Sequence, residues 1–330
     1  MPGTKMQMEF ENWPLAKPFV IARGSKTKAG VVTVILSAGN SSGRGECVPY
    51  ARYGENARSV IGQIEAMRTA IEGGLDRDTL QKKMPAGAAR NALDLALWDL
   101  EAKQTRKSVY ERVGLEMPLS VPSVQTIGVA SPAEMQAAAT KLKAFPTIKI
   151  KLDSDAVLER VTAVRAAVPK AELIIDANES WSFELLQHVS PALAGLGVVM
   201  IEQPLKAGED ALLSGYTGPI PLGADESCHT TADLAVLKGL YQYINIKLDK
   251  AGGLTEALKM QATARREGFG VMVGSMVATS LALAPAVILA LDADYVDLDS
   301  SSLLAEDRPH GMTLKDGNLY GIDGHLWGGA

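Results

Sequence analysis

Phe145-Pro-Thr-Ile-Lys-Ile-Lys151 is a short run that ends in alternating apolar and basic residues. Alternation of period two marks a strand, with Lys149 and Lys151 on one side and Ile150 on the other. Three acidic residues follow, each closing its own apolar run. Asp176 ends Leu-Ile-Ile-Asp, Glu202 ends Val-Val-Met-Ile-Glu, and Asp225 ends Ile-Pro-Leu-Gly-Ala-Asp. Lys247 then ends Ile-Asn-Ile-Lys. From Lys151 the steps are 25, 26, 23 and 22 residues. Each step suits one strand, one helix and two connections. Charged groups at the same end of successive buried strands are hard to explain as core and easy to explain as a site.

Working outward, strand-like runs lie near 121–126, 147–151, 172–176, 197–202, 220–225, 243–247, 269–273 and 295–299, with helical segments between them. Ser131-Pro-Ala-Glu reads as a helix cap, a first-turn proline and an early acid. Eight strands alternating with helices predict a closed (β/α)8-type TIM barrel rather than an open doubly wound sheet. An open sheet offers one crevice, whereas here polar residues recur at nearly every strand end. Residues 1–118 read differently, as strands first and helices after, which predicts an α+β capping domain. The expected division is 1–118 cap, 119–300 catalytic barrel and 301–330 tail. The tail carries a hairpin signal at Asp316-Gly317 and is expected to pack back on the cap.

Composition limits the function. The 330 residues are 47% hydrophobic and 22% charged, which suits a folded domain pair and not a disordered chain. Net charge is −5, and no basic block points to nucleic acid. Cys47 and Cys228 stand far apart and read as buried thiols. Residues 268–291 carry no charged side chain. Their Gly, Ser, Thr and Pro punctuation predicts a strand, a loop and a buried helix rather than a membrane span. The N-terminus lacks the apolar stretch of a signal peptide, so a cytoplasmic location is expected.

On the barrel reading, Lys151, Asp176, Glu202, Asp225 and Lys247 all reach the C-terminal mouth. Three converging carboxylates repel unless a cation joins them, and a hard, oxygen-liking ion such as Mg²⁺ answers that need. No histidine belongs to the set, which argues against zinc. The two lysines sit on strands that lie opposite one another in a closed ring. A substrate carboxylate on the metal would hold its α-carbon between them. One lysine would then take a proton and the other return one to the opposite face, with the metal stabilising the enolate. Neutral lysine is needed for the first step, and cationic neighbours, Lys149 and the metal, lower its pKa.

These motifs resemble the enolase superfamily in its muconate-lactonizing-like branch. They are Lys149-Ile-Lys151, Asp176-Ala-Asn178, Glu202-Gln-Pro204, Asp225-Glu-Ser227 and Lys247-Leu-Asp249-Lys250. The resemblance spans essentially the whole chain, including Glu46-Cys-Val-Pro-Tyr50 and Arg90-Asn-Ala-Leu-Asp-Leu-Ala-Leu-Trp98. It implies the modified (β/α)7β barrel, Mg²⁺ on Asp176, Glu202 and Asp225, Lys151 and Lys247 as paired acid/base lysines, Lys149 tuning Lys151, and Asn178 and Asp249 in support. Within the branch the chain is most similar to epimerases of the dipeptide L-Ala-D/L-Glu. That similarity implies that Asp297-Leu-Asp299 receives the substrate α-ammonium and that Arg23 faces the glutamate side chain, with Lys26 able to replace it. Ser275, Met276 and Thr279 are further expected substrate contacts. Recycling of murein peptides is the pathway that this similarity implies.

Each residue alone has a blander reading: exposed strand-end lysines, helix-capping acids, a solvated Asp pair, an arginine in a mobile loop. The ordered spacing favours a site. Competing readings are epimerases of hydrophobic or cationic dipeptides, an N-acylamino acid racemase, an o-succinylbenzoate synthase, a cycloisomerase, and a non-catalytic binding barrel. The expected partner is a small dipeptide. Neither nucleic acid nor membrane is expected, and a homo-oligomer is compatible with the sequence.

Overall fold

The computed structural model describes residues 3–22 and 24–330. The chain opens with an antiparallel sheet of β1 (Lys5–Ile21), β2 (Gly24–Ala38) and β3 (Ser41–Cys47). The weakly alternating pieces near residues 6–10 and 18–21 belong to one long strand, because β2 pairs along its length from Lys5↔Ser37 to Ile21↔Gly24. The register shifts between Pro14 and Phe19, where prolines interrupt the ladder. Five helices follow: α1 (Ala57–Ala66), α2 (Arg68–Glu72), α3 (Arg77–Lys83), α4 (Ala88–Thr105) and α5 (Val109–Arg112). The sequence did not announce α3, which Asp76 caps by accepting from Thr79 N at 2.7 Å.

The sheet rests on α4. A Cβ added at Gly43 would stand 2.2 Å from Leu100 N, and one at Gly45 would stand 2.1 Å from Ala92 O. Only glycine lets β3 lie so close to the helix backbone. The Gly-punctuated run 43–50 reads from sequence as leading to an edge or a loop; its first part, to Cys47, is instead a paired strand and a close interface.

The second unit is a barrel preceded by β4 (Ser120–Pro122). Its elements are β5 (Gln125–Ile127), α6 (Pro132–Thr140), β6 (Thr147–Lys151), α7 (Val157–Ala167), β7 (Glu172–Asp176), α8 (Phe183–Gly195), β8 (Val198–Glu202), β9 (Leu222–Ala224), α9 (Leu234–Leu237), β10 (Tyr243–Lys247), α10 (Leu248–Ala251), α11 (Leu254–Glu267), β11 (Gly270–Gly274), α12 (Ser280–Ala290) and β12 (Tyr295–Asp297). Strands β5 to β12 form one parallel eight-stranded sheet in chain order. Its two edges meet where Val124 N donates to Val296 O at 2.9 Å, so the sheet nearly closes. The strand spacing predicts a barrel of this TIM type, and the resemblance implies its modified form. Ser131 and Glu134 form a reciprocal capping box on α6 with Pro132 in the first turn, as their order suggests.

The expected first barrel strand at 121–126 is divided. Only β5 joins the barrel. β4 pairs instead with the last strand of a C-terminal hairpin, β13 (Thr313–Lys315) and β14 (Asn318–Tyr320). The tail also reaches the first unit. Arg44 Nη2 donates to Leu326 O at 2.6 Å, Trp327 Nε1 to Leu95 O at 3.2 Å, and Gly328 N to Asp99 Oδ1 at 2.8 Å. The charge-free stretch 268–291 is β11, a loop and the buried α12. Among the described residues no helix is long and apolar enough to cross a membrane.

Inside the barrel, period-two alternation stacks side chains in layers. Val124, Ile174, Met200 and Met272 form an apolar plug. One step towards the C-terminal end of the strands, Asp176 follows Ile174, and Glu202 follows Met200. Ile150 and Ile175 face outward into the main core instead.

Candidate active site

β7, β8 and β9 are adjacent, so Asp176, Glu202 and Asp225 converge. Each can offer an oxygen such that the three lie within 4.8 Å of one another, and all three are buried. Their backbones are held together. Ala177 N donates to Glu202 O at 3.1 Å, Glu179 N to Gln203 O at 2.9 Å, and Gln203 N to Gly223 O at 2.8 Å. Gln203 Oε1 accepts from Asp225 N at 2.9 Å and from Ser227 N at 3.1 Å. Asn178, Glu179 and Gln203 all have positive φ, at 44°, 69° and 38°. Such conformations are costly for non-glycine residues and persist where surroundings over-determine them.

Lysines surround the acids. Lys151 Nζ donates to Asp176 Oδ2 and Lys247 Nζ to Asp225 Oδ2, both at 2.5 Å. β6 and β10 are separated by three strands in either direction round the barrel, so these two lysines face each other across it. Lys149 is fully buried, one alternation below Lys151. Its Nζ lies 3.0 Å from Asp176, 2.6 Å from Glu202 and 2.7 Å from Asp297. Only the Asp297 contact has hydrogen-bond geometry, and Glu202 Oε2 is left buried with no hydrogen bond.

Burial opposes the Lys149 ammonium, but the charges of Asp176, Asp297 and Glu202 outweigh it and hold its pKa well above the usual lysine range. Burial likewise opposes Lys247, and Asp225 and Glu202 more than offset it, so its pKa is also raised. Burial and the neighbouring Asp176 push Glu202 up to about 7. An all-carboxylate donor set with an orphaned buried oxygen fits a hard divalent cation such as Mg²⁺, and a divalent charge there would relieve all three shifts.

Two polar residues central to this arrangement were given no role by the sequence, although Lys250 stands in a quoted motif. Asn245 Nδ2 donates to Glu202 Oε1 at 2.7 Å. It sits two residues before Lys247 on β10, so period-two alternation could have found it. Lys250 Nζ donates to Asp225 O and Oδ1, both at 2.6 Å, and to Asn245 O at 2.9 Å. All three ammonium protons are engaged, so this buried lysine orients Asp225.

A cavity opens above the acids. Lys151, Lys247, Asp225, Asn178, Glu226, Lys26, Ser275, Met276, Asp297 and Asp299 line it, with Phe19, Tyr50, Tyr53 and Leu303 supplying apolar walls. Asn178, expected as support, thus reaches the cavity itself. Asp297 and Asp299 lie at its β12 side. Asp299 Oδ2 accepts from Thr126 N at 2.6 Å and Gln125 Nε2 at 3.2 Å. Burial and the Asp297 charge raise its pKa to about 7. Lys26 lies over the Tyr50 ring at 4.9 Å from the centroid. Asp249 does not line this cavity. Its Oδ1 accepts from Val48 N at 3.0 Å and Asn91 Nδ2 at 2.8 Å, which ties α10 to the first unit.

Thr279 corrects an expectation. It is fully buried and absent from the cavity wall. Its hydroxyl donates to Glu46 Oε2, because the loop after β11 turns inward under the first unit before α12 begins. Arg23 lies outside the described residues.

Two family descriptions match the chain. Residues 4–114 match the mandelate racemase / muconate lactonizing enzyme N-terminal domain, and residues 133–325 match the enolase C-terminal domain-like family. The chain is 47% identical over 312 residues to the L-Ala-D/L-Glu epimerase of Escherichia coli (strain K12), covering 94% of this chain and 97% of that one. It is 44% identical over 302 residues to an N-acetyl-D-glutamate racemase of Pseudoalteromonas sp, covering 91% and 96%. A solved enolase family member from Agrobacterium tumefaciens, described as homologous to dipeptide epimerases with bound sodium, L-Ala-L-Glu and an ordered loop, superposes with a TM-score of 0.96. It is 46% identical and covers 98% of this chain and 100% of that one. Facing lysines, a triad of acids at adjacent strand ends and these matches over nearly the whole length agree: the chain belongs to the enolase superfamily, in its mandelate racemase and muconate lactonizing enzyme branch.

Proposed function

We propose that the protein is a Mg²⁺-dependent epimerase that inverts the α-carbon of the second residue of L-Ala-D/L-Glu. The observation that carries this reading is the pair Lys151 and Lys247, which line one cavity from opposite barrel strands, with Asp225 of the buried Asp176, Glu202 and Asp225 cluster in the same wall. Mg²⁺ on the three acids would polarise the substrate carboxylate and acidify its α-proton. One lysine takes that proton, breaking C–H and forming N–H. The other gives a proton to the opposite face of the planar enolate, and the configuration inverts without net oxidation. Lys149, with its nitrogen among carboxylates, holds Asp297 next to the metal acids. Asp297 and Asp299 offer negative charge to the substrate α-ammonium. Arg23 and Lys26 are the basic residues suited to an acidic second side chain. Residues 1–118 act in this reading as a cap over the barrel 119–300, with 301–330 fastening the two. A cytoplasmic dipeptide from murein turnover is the source that this substrate suggests.

A second reading, racemisation of N-acylated glutamate, rests on the Lys149–Asp297 ion pair. That pair neutralises one of the two acids without a substrate ammonium. Proton NMR in D₂O with Mg²⁺ separates the two. L-Ala-L-Glu and L-Ala-D-Glu should lose their glutamyl α-proton signal and interconvert, while N-acetyl-D-glutamate exchanges at least about tenfold more slowly. Unexchanged dipeptides would sink the first reading, and faster exchange of the N-acetyl compound would establish the second.

A further inference from the structure

Glu46 belongs to a motif that the chemistry above leaves without a task. It is fully buried on β3. Its Oε1 accepts from Thr279 N at 3.0 Å, and its Oε2 accepts from the Thr279 hydroxyl and from Arg308 Nε at 2.9 Å and Nη2 at 2.7 Å. Arg308, from the C-terminal tail, goes further. It donates to the Thr279 hydroxyl oxygen at 2.8 Å, to Thr33 Oγ1 at 2.9 Å and to both carboxylate oxygens of Glu11. One guanidinium therefore joins all three strands of the capping sheet to the loop after β11.

That loop is a wall of the cavity. Ser275, Met276 and Val277 line it. Met276 packs in a small cluster with Val31 and Val48 of the cap, against Tyr50 and Tyr53. Ser275 Oγ lies 3.2 Å from Ser300 Oγ, which follows Asp299 directly. The wall thus stands beside the acids assigned to the substrate ammonium, where the first residue of a dipeptide would sit.

We propose that Glu46, Arg308 and Thr279 are positioning residues that hold the Ser275–Val277 wall against the cap and so limit the first residue of the substrate to a small side chain. Packed interfaces resist continuous deformation, so a wall anchored at buried charge-assisted bonds keeps its distance from Asp297 and Asp299. The proposal rests on the dipeptide reading above.

The test compares wild type with Arg308→Met, Arg308→Lys and Thr279→Val, using L-Ala-L-Glu and L-Leu-L-Glu, with circular dichroism as the fold check. Arg308→Met should raise KM for L-Ala-L-Glu about tenfold with kcat changed less than about threefold, and should narrow the Ala-over-Leu ratio in kcat/KM at least about fivefold. Arg308→Lys should recover part of that ratio. Thr279→Val replaces the hydroxyl by a methyl group, keeps the Arg308–Glu46 pair, and should show the same change at smaller size. Folded variants whose KM and Ala-over-Leu ratio stay at wild-type values overturn the proposal, even if melting temperature falls. Variants that all lose the fold also overturn it, since the network is then purely structural. Wild-type protein inactive on both dipeptides overturns the dipeptide reading itself, an outcome recognisable without any variant.

Discussion

Lys151 and Lys247 have the same environment in outline, a buried nitrogen on a metal-site carboxylate, yet they approach from opposite strands. That opposition is what a two-sided proton transfer requires. Lys151→Ala and Lys247→Ala should each lower epimerisation more than about a thousandfold, as removal of an essential acid or base does. Deuterium exchange from one epimer should persist in each variant, from opposite epimers in the two. NMR in D₂O reads both quantities, and full two-way inversion in either variant would remove the two-lysine assignment. Lys149 and Lys250 are chemically the same residue in other settings. Lys149 donates to Asp297 and lies against Asp176 and Glu202, Lys250 donates to Asp225 and to Asn245 O, and neither lines the cavity.

At the scale of elements, the strand ends were legible because burial and charge coincide there. Asp176, Glu202 and Asp225 end apolar runs at near-constant spacing, and the parallel sheet brings equal strand ends together. The capping sheet was less legible. β1 is long and mostly exposed, so its alternation is diluted, and β3 carries glycines that ordinarily weaken a strand. The contact with α4 explains those glycines and makes a prediction. Gly45→Ala forces β3 away from Ala92 and should destabilise the protein by about 2 kcal/mol or more, by overpacking at a backbone contact. Gly39→Ala would serve as the contrast. Its added Cβ meets nothing, but its φ of 59° brings a backbone cost alone of about 1 kcal/mol. Urea unfolding of the two variants measures the difference, and equal midpoints would refute the close-contact argument.

The whole molecule is held as one by polar bonds between its units. Asp94 on α4 is an example. It is fully buried and accepts from Thr255 N at 3.0 Å, Thr255 Oγ1 at 2.6 Å and Gln81 Nε2 at 2.9 Å. Burial pushes its pKa up to about 6, with Thr255 pulling it part of the way back. A carboxyl whose pKa is higher folded than unfolded favours the fold when protonated. Its contribution is full below pH about 4 and is lost as pH rises through about 6, a change on the order of 3 kcal/mol. Asp94→Asn removes that titration. The stability of the variant relative to wild type should therefore rise between pH 4 and pH 6 and stay level above. Urea unfolding across that range checks it, and a difference independent of pH would show that Asp94 does not titrate there.

The sequence by itself determined the barrel, its strand order and the chemical set at its mouth. Apolar runs that end in charge at regular intervals leave a parallel sheet few alternatives, and a period of two puts each charge on the inner face. Arrangement between distant segments was decided only by the tertiary structure. The division of 121–126 between barrel and tail sheet depended on a hairpin nearly two hundred residues away. The turning of Thr279 from the cavity to Glu46 depended on Arg308 in the tail. The raised lysine pKa values depended on how many carboxylates crowd one nitrogen. Local periodicity encodes which face a side chain takes, while the partner it meets there is a matter of packing between elements that no local pattern records.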